Sequence, residues 1–214
     1  MGLEHNQDNK YADPFETMGA SLNDLYEILS NQVSFVHFKW EEYRTLFGTN
    51  YERLDFLNVA APSFFAVLQQ LLWDDMLLHI CRLTDPPKSV GKANLTVACL
   101  PPLISNAQLS ERVTTLFKDA KEKARFAREW RNRRLAHREF PVADNVDSCS
   151  LNPGSQKDIE EALTALRTVM NCIQAHYMKP TPFYEEEFEP IGGVHDLLEC
   201  LEKGVEGKRR HLGQ

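Results

Sequence analysis

The most regular feature of the chain is the spacing of apolar residues between positions 22 and 47. Leu22, Tyr26, Leu29, Val33, Val36, Trp40, Tyr43 and Phe47 follow one another at steps of four and three. Such steps place side chains on one stripe of a helix with 3.6 residues per turn. One long helix is predicted, with Ser21 or Asn23 as its N-cap and Gly48 as its stop. The stripe reads as a seam, packed on a neighbouring helix or on a second subunit. From about Leu54 to Leu83 the pattern changes, because Phe64, Phe65, Val67, Leu68, Leu71, Leu72, Trp73, Met76, Leu77, Leu78, Ile80 and Leu83 lie nearly all round the helix. A helix apolar on every side is expected in the middle of a bundle. Pro62 either opens it or kinks it.

Asp85-Pro86-Pro87 stops this helix, and residues 85 to 93 form a loop. Asn94 to Leu100 reads as one or two helical turns ended by Pro101-Pro102. Residues 109 to 138 form another long helix, with Val113, Leu116, Phe117, Ala120, Ala124 and Ala127 inward and lysines and arginines outward. A loop from Phe140 to Gly154 leads to a helix from about Ser155 to Met178, carried by Ile159, Leu163, Leu166, Met170, Ile173 and Tyr177. The fold class is all-α, an up-and-down bundle of four to five main helices. Its body spans residues 15–179, between a flexible N-terminus (1–14) and a C-terminal arm (180–214). The arm carries prolines, an acidic run at Glu185-Glu186-Glu187 and a short helix from Val194 to about Val205. No strand-rich region, Gly-rich phosphate loop or nucleophile elbow interrupts the helical pattern.

Charge alters this picture in one place. The 214 residues carry a formal charge of −7, which argues against a generally basic nucleic-acid coat. Yet from Lys118 to Arg138 nine Lys or Arg stand against three acids. An anionic partner is therefore expected at a local patch. Its densest part holds Arg128, Arg131, Arg133, Arg134 and Arg138 together with Trp130 and His137. The five cysteines are odd in number and widely spaced, which fits a reducing, cytoplasmic setting. Cys172 and His176 stand four apart, too few donors for a metal set, so neither a metal nor another cofactor is expected. There is no signal-peptide pattern, and the run from Phe56 to Trp73 contains Asn58, Pro62, Gln69 and Gln70. It is too polar for a membrane span, and a soluble protein is expected.

Arginine offers a permanently charged planar fork that suits a phosphate, and histidine exchanges protons near neutrality. Together they are the minimum needed to grip or break a phosphodiester. Arg131-Asn132, followed after five residues by His137, resembles the Arg-polar-spacer-His motif of the HEPN superfamily (higher eukaryotes and prokaryotes nucleotide-binding). Arg128 is too far from His137 for that motif, and Arg133 and Arg134 are too near. The segment Cys81-Arg82-Leu83-Thr84-Asp85-Pro86-Pro87, followed by Gly91-Lys92 and Asn94-Leu95-Thr96, looks like the abortive-infection U branch of the superfamily.

The resemblance implies a metal-independent endoribonuclease in which the ribose 2′-hydroxyl attacks the neighbouring phosphate. His137 would move protons, Arg131 would hold the charge that builds on phosphate, and Asn132 would support them. Arg128, Arg133, Arg134 and Arg138 would bind the substrate, unless they pair with acids such as Glu129 or Glu139. Asp75, His79 and Arg82 share one helix face at i, i+4 and i+7. They read either as an exposed strip of salt bridges or as a layer beneath Arg131 and His137 that orients them.

On an uninterrupted helix Arg131 and His137 lie about 120° apart around the axis and about 9 Å along it. Either the helix breaks before His137 or two subunits converge, and the resemblance implies a homodimer whose motifs line one RNA cleft. A growth-arresting or phage-defence toxin is the implied setting. The alternative is a non-catalytic helical module, whose arginines grip nucleic acid or an acidic protein such as an antitoxin.

Overall fold

The structure, a computed structural model, describes residues 18–48, 50–132, 154–177 and 192–212. The predicted N-terminus 1–14, the loop at 140–153 and the Pro- and Glu-rich stretch 180–190 lie outside them. Within the described residues the fold is an all-α helical bundle, as the periodicity predicts.

Helix α1 (Ala20–Phe47) buries every residue of its predicted stripe, from Leu22 to Phe47. Neither Ser21 nor Asn23 caps it. Gly19, in the left-handed region at φ 76°, precedes the first turn instead, and the Asn23 side chain is buried and donates to Glu27 at 3.3 Å. Gly48 ends the helix as expected, its N–H bonded to the Arg44 carbonyl. The seam packs on α3 and α6 of the same chain.

The apolar stretch after it is two helices, α2 (Tyr51–Ala60) and α3 (Pro62–Thr84). Pro62 opens α3 at its first turn, where a missing N–H costs nothing, and the joint falls at Ala61. The expectation that this segment is enclosed on all sides is not met. Phe65, Met76, Leu77, Ile80, Cys81 and Leu83 are buried, whereas Phe64, Val67, Leu71 and Leu78 are exposed. Apolar composition all round a helix does not require a neighbour on every side, and among the described residues nothing covers the side of α3 that carries Phe64, Val67 and Leu71.

Asp85 ends α3, and the predicted loop holds a small hairpin, β1 (Lys88–Ser89) paired antiparallel with β2 (Lys92–Ala93). Its turn uses positive φ at both Val90 (47°) and Gly91 (78°), the winding that matches strand twist. Two 3₁₀ turns follow, Val97–Cys99 and Pro101–Leu103, so the prolines begin a turn rather than end one. The buried Thr96 hydroxyl lies 2.8 Å from the Asp85 carbonyl and 3.1 Å from that of Leu83, fastening this connection under the end of α3.

The predicted long helix from 109 to 138 is broken. α4 (Ala107–Lys123) stops at Ala124, whose ψ of 4° leaves the helical region, and α5 (Arg125–Trp130) restarts at once. Asn106 caps α4 by accepting from Leu109 N–H at 2.9 Å. The inward face is as predicted, with Val113, Ala120, Ala124 and Ala127 fully buried. α6 (Gln156–Tyr177) lies along α4 and buries Ile159, Leu163, Leu166, Met170 and Ile173. His37 of α1 donates from Nε2 to the Leu163 carbonyl at 3.2 Å and ties α1 to α6.

The last helix, α7 (Val194–Leu212), is longer than predicted and runs through Gly204 and Gly207. It rests on α1 and α2, and Val194 N–H donates to the Glu42 carboxylate at 3.0 Å.

Candidate functional site

The broken helix explains how the arginine cluster is held. α5 is only six residues long, too short to be stable alone. It is fixed to α3 by buried Ala127 and Trp130 and by three polar bonds, and to α4 by a fourth. The Trp130 indole donates to Asp74 at 3.2 Å, and Arg128 Nη1 donates to the Thr84 hydroxyl at 2.9 Å. Arg128 Nη2 donates to the Lys121 carbonyl at the end of α4. Arg131 Nη1 donates to Asp85 Oδ2 at 2.6 Å, a charge-assisted bond of the strong kind. Thus one short helix is held against α3 at Asp74, near its middle, and at Thr84 and Asp85, at its end.

Arg131 and Asp85 are both largely covered, with side chains 27% and 21% exposed. Burial opposes the guanidinium charge, but the Asp85 bond and the nearby negative charge outweigh it and raise the Arg131 pKa. The cation is secure at any working pH. Its Nε also donates to the Asn132 side chain at 3.3 Å, so Asn132 aligns the fork from the other edge. Arg131 and Asn132 continue α5 in π-type winding, a departure often found at functional positions.

The structure brings together part of the predicted site. Arg131 and Asn132 meet, and Arg128 stands beside them but turns inward, both terminal nitrogens bonded within the chain. The predicted pairing partner Glu129 takes Arg125, at 4.0 Å. His137, Arg133, Arg134 and Arg138 lie outside the described residues.

The face shared by Asp75, His79 and Arg82 is not the simply exposed strip of one prediction, and its place relative to His137, on which the other turns, lies outside the described residues. No chain of bonds joins the three among the described residues. Lys39 of α1 enters instead, pairing with Asp75, lying 3.4 Å from His79 Nδ1 and sitting 4.5 Å over the Phe35 ring. His79 is 1% exposed, so the strip is not simply solvated. Burial, then the Lys39 and Arg82 charges, push its pKa down to about 4 despite Asp75, and the ring is neutral. His79 and Arg82 border the same hollow as Asp85, which connects them to Arg131 through a shared neighbour rather than by contact.

Cys81 sits close by but offers no nucleophile. It is fully buried, and burial, helped by Asp85, pushes its thiol up to about 11 against the pull of Arg131 and Arg128. Among the described residues no group of three or more His, Cys, Asp or Glu is placed to hold a metal ion, and no helix is long and apolar enough to cross a membrane.

Reading the sequence did not single out Asp85, Asp74, Thr84 or Lys39 for these roles. Asp85 and Thr84 stood only as parts of the helix stop and of the family-like segment.

The described residues form an all-α bundle that carries the Arg131-Asn132 pair at the end of a short helix, in keeping with the HEPN resemblance read from the sequence. Comparison with protein families gives the branch: the chain matches the HEPN family described as AbiU2 over residues 20–191 and belongs to it. The match takes in α1 through α6 and both segments that carried the resemblance. No curated protein and no solved structure matches the chain.

Proposed function

We propose that this protein is an endoribonuclease that cleaves RNA by attack of a ribose 2′-hydroxyl on the adjacent phosphorus. The observation that carries the reading is the Arg131 fork, held by Asp85 and Asn132 in a largely covered position rather than left to move in solvent. Preorganised donors stabilise developing charge because they need no rearrangement as it forms.

In the step itself the 2′-oxygen–phosphorus bond forms and the bond to the 5′-oxygen breaks. The 2′-hydroxyl loses its proton, the departing 5′-oxygen gains one, and a cyclic phosphate and a 5′-hydroxyl result. His137 carries those protons, and Arg131 holds the charge on the non-bridging oxygens. The nucleophile is internal to the substrate, so this route requires no metal. Arg133, Arg134 and Arg138 steer the backbone to the site. The AbiU2 match supports an abortive-infection setting, and in this reading the protein is a growth-arresting or phage-defence toxin that acts in the cytoplasm.

The working unit in this reading is a homodimer. Along α3, residues 64, 67, 71, 75, 78, 82 and 85 fall within about 80° of arc, so the exposed Phe64, Val67, Leu71 and Leu78 lead along one face to Arg82 and Asp85. A second copy seated on that face brings its own arginine cluster toward the first.

One observation favours a non-catalytic module. Arg128 is bonded within the chain, and one nitrogen of Arg131 is taken by Asp85, which leaves less cationic surface for a substrate. The deciding experiment incubates labelled RNA with the protein in excess chelator, beside Arg131→Ala and His137→Ala. Cleavage is expected from the native chain, reduced at least about a hundredfold by either change. A folded but inert native chain makes it a binding module, with RNA or an acidic antitoxin as its partner.

A further inference from the structure

The connection that follows α3 carries features that a connector does not need. Residues 86 to 110 hold two charged side chains, Lys88 and Lys92, and no acid, in a chain whose formal charge is −7. Both lysines stand on the hairpin of β1 and β2, every residue of which, from Lys88 to Ala93, is exposed. Strands of two residues with no buried face do not hold themselves together. The hairpin is fastened at its root instead. Asn94 donates from its backbone N–H to the Pro87 carbonyl at 2.9 Å and from its side chain to that of Pro86 at 2.8 Å, and the Thr96 hydroxyl holds the Asp85 carbonyl. Asp85 is also the carboxylate that takes Arg131. Prong and arginine are thus anchored on one residue, with Lys88 no more than about 11 Å from it along the chain.

The tip is strained. In a two-residue turn with positive φ at both central positions, the first is ordinarily Asn, Asp or Gly. Here it is Val90, β-branched, at φ 47° and 99% exposed. A turn that served only to reverse the chain gains nothing from that valine, because the backbone is held against its preference and the side chain stays in solvent. An apolar group so placed is of use to something outside the chain.

The strand register sets the cations around it. Lys88 pairs with Ala93 and Ser89 with Lys92, so the two lysines project from opposite faces of the ribbon, one on each side of the tip. No acid pairs with either among the described residues. Strands this short cannot pair with an incoming peptide strand, and one valine does not make the apolar centre of a protein interface. A polymer of regularly spaced anions laid across the tip, in contrast, meets an ammonium on each side and Val90 beneath. Single-stranded nucleic acid has that form, with phosphates for the lysines and the apolar surface of a sugar or base for the valine.

We propose that the hairpin of β1 and β2 is a prong that binds the RNA backbone outside the reacting phosphate, with Lys88 and Lys92 on flanking phosphates and Val90 between them. It rests on the ribonuclease reading for the identity of the polymer, and its contacts take no part in the chemistry.

The test separates binding from cleavage. Fluorescence anisotropy is read on the full chain, from low to high salt, with a 2′-deoxy-substituted, uncleavable oligonucleotide of about ten nucleotides. Lys88→Gln combined with Lys92→Gln, at exposed positions, is expected to flatten the dependence of log affinity on log salt by about 0.7 for each lysine and to weaken binding severalfold at low salt. Val90→Gly, which relieves the turn, is expected to keep the slope and the fold and to bind severalfold more weakly. In cleavage the double variant is expected to raise KM with kcat unchanged, as the loss of contacts common to ground and transition states does. A dinucleotide, which reaches no further than Arg131, is expected to bind native and variant alike. An unchanged salt slope in the double variant, or native affinity in Val90→Gly, overturns the proposal. So does a double variant that keeps its affinity for RNA but sediments differently, since the hairpin is then a protein contact. A chain that binds RNA through the prong yet cleaves nothing keeps the prong and removes the nuclease. Cleavage that neither variant alters does the reverse.

Discussion

Helices α1 and α3 have similar length and are both rich in apolar residues, yet they use them differently. In α1 the stripe of eight apolar residues is wholly buried, and only Ile28 and Phe35, off the stripe, are exposed large apolar residues, each by about half. In α3 apolar residues run all round, and half of that surface faces away from the chain, where Phe64, Val67 and Leu71 are each about 60% exposed. The first helix spends its stripe on its own fold. The second carries a face that no described residue covers, and that face ends at the arginine site. Single exposed apolar residues are ordinary, and a row of them along one helix, leading to the arginine cluster, is what the proposed second copy would cover.

The contrast is sharpest in stability. Leu29 lies at the centre of the α1 seam with no exposure, so Leu29→Ala leaves a cavity between α1 and its neighbours. It is expected to lower unfolding free energy by about 2–5 kcal/mol, read from urea denaturation. A loss below about 1 kcal/mol would mean that the seam is not the core.

A smaller effect joins the two helices through protons. His37 on α1 and His79 on α3 are both held down to about 4, His37 by burial and then Arg167, His79 by burial and then Lys39 and Arg82. Their folded pKa values lie below the unfolded value of about 6.5, so the unfolded chain binds more protons as pH falls. The stability they contribute is fully present above about pH 6.5 and is lost as pH drops toward 4. At about 1.4 kcal/mol per pKa unit the loss amounts to a few kcal/mol at most. Unfolding midpoints measured from pH 7 to 4 are expected to fall, and His79→Gln is expected to flatten that decline. An unchanged slope in the variant would show that the ring is already solvated.

How much of this was legible follows from where the information lies. The α1 seam was readable because period and polarity agree over eight residues, and its ends were nearly right for the same reason. The exposed face of α3 was not, since periodicity says which residues are apolar but not which side has neighbours. The break at Ala124 lacks a Pro or Gly to announce it, while α7 runs seven residues beyond the predicted end near Val205, through Gly207. At the site, Arg131 and Asn132 were found by local spacing. Asp85 escaped because its partner lies 46 residues away, a tertiary fact that neighbouring residues do not encode. Lys39 was missed for a like reason, 36 residues before Asp75 and 40 before His79.

The smallest expected change in stability is the one that most sharply tests the difference between the helices. Leu71→Glu places a carboxylate on the exposed side of α3, where it meets solvent in a single copy, so unfolding free energy is expected to move by no more than about 0.5 kcal/mol. If two copies meet there, each buries the other's carboxylate, and an unpaired buried charge is costly enough to separate them. Sedimentation at matched concentrations is therefore expected to show a dimer for the native chain and a monomer for the variant. RNA cleavage is expected to fall with the dimer, although Leu71 is 14 residues from Asp85 along α3 and outside the arginine cluster. A native chain that sediments as a monomer at high concentration removes the shared cleft. A variant that loses the dimer but keeps full cleavage separates assembly from chemistry, and then Arg131 and His137 must meet within one chain, through a break of the helix between them.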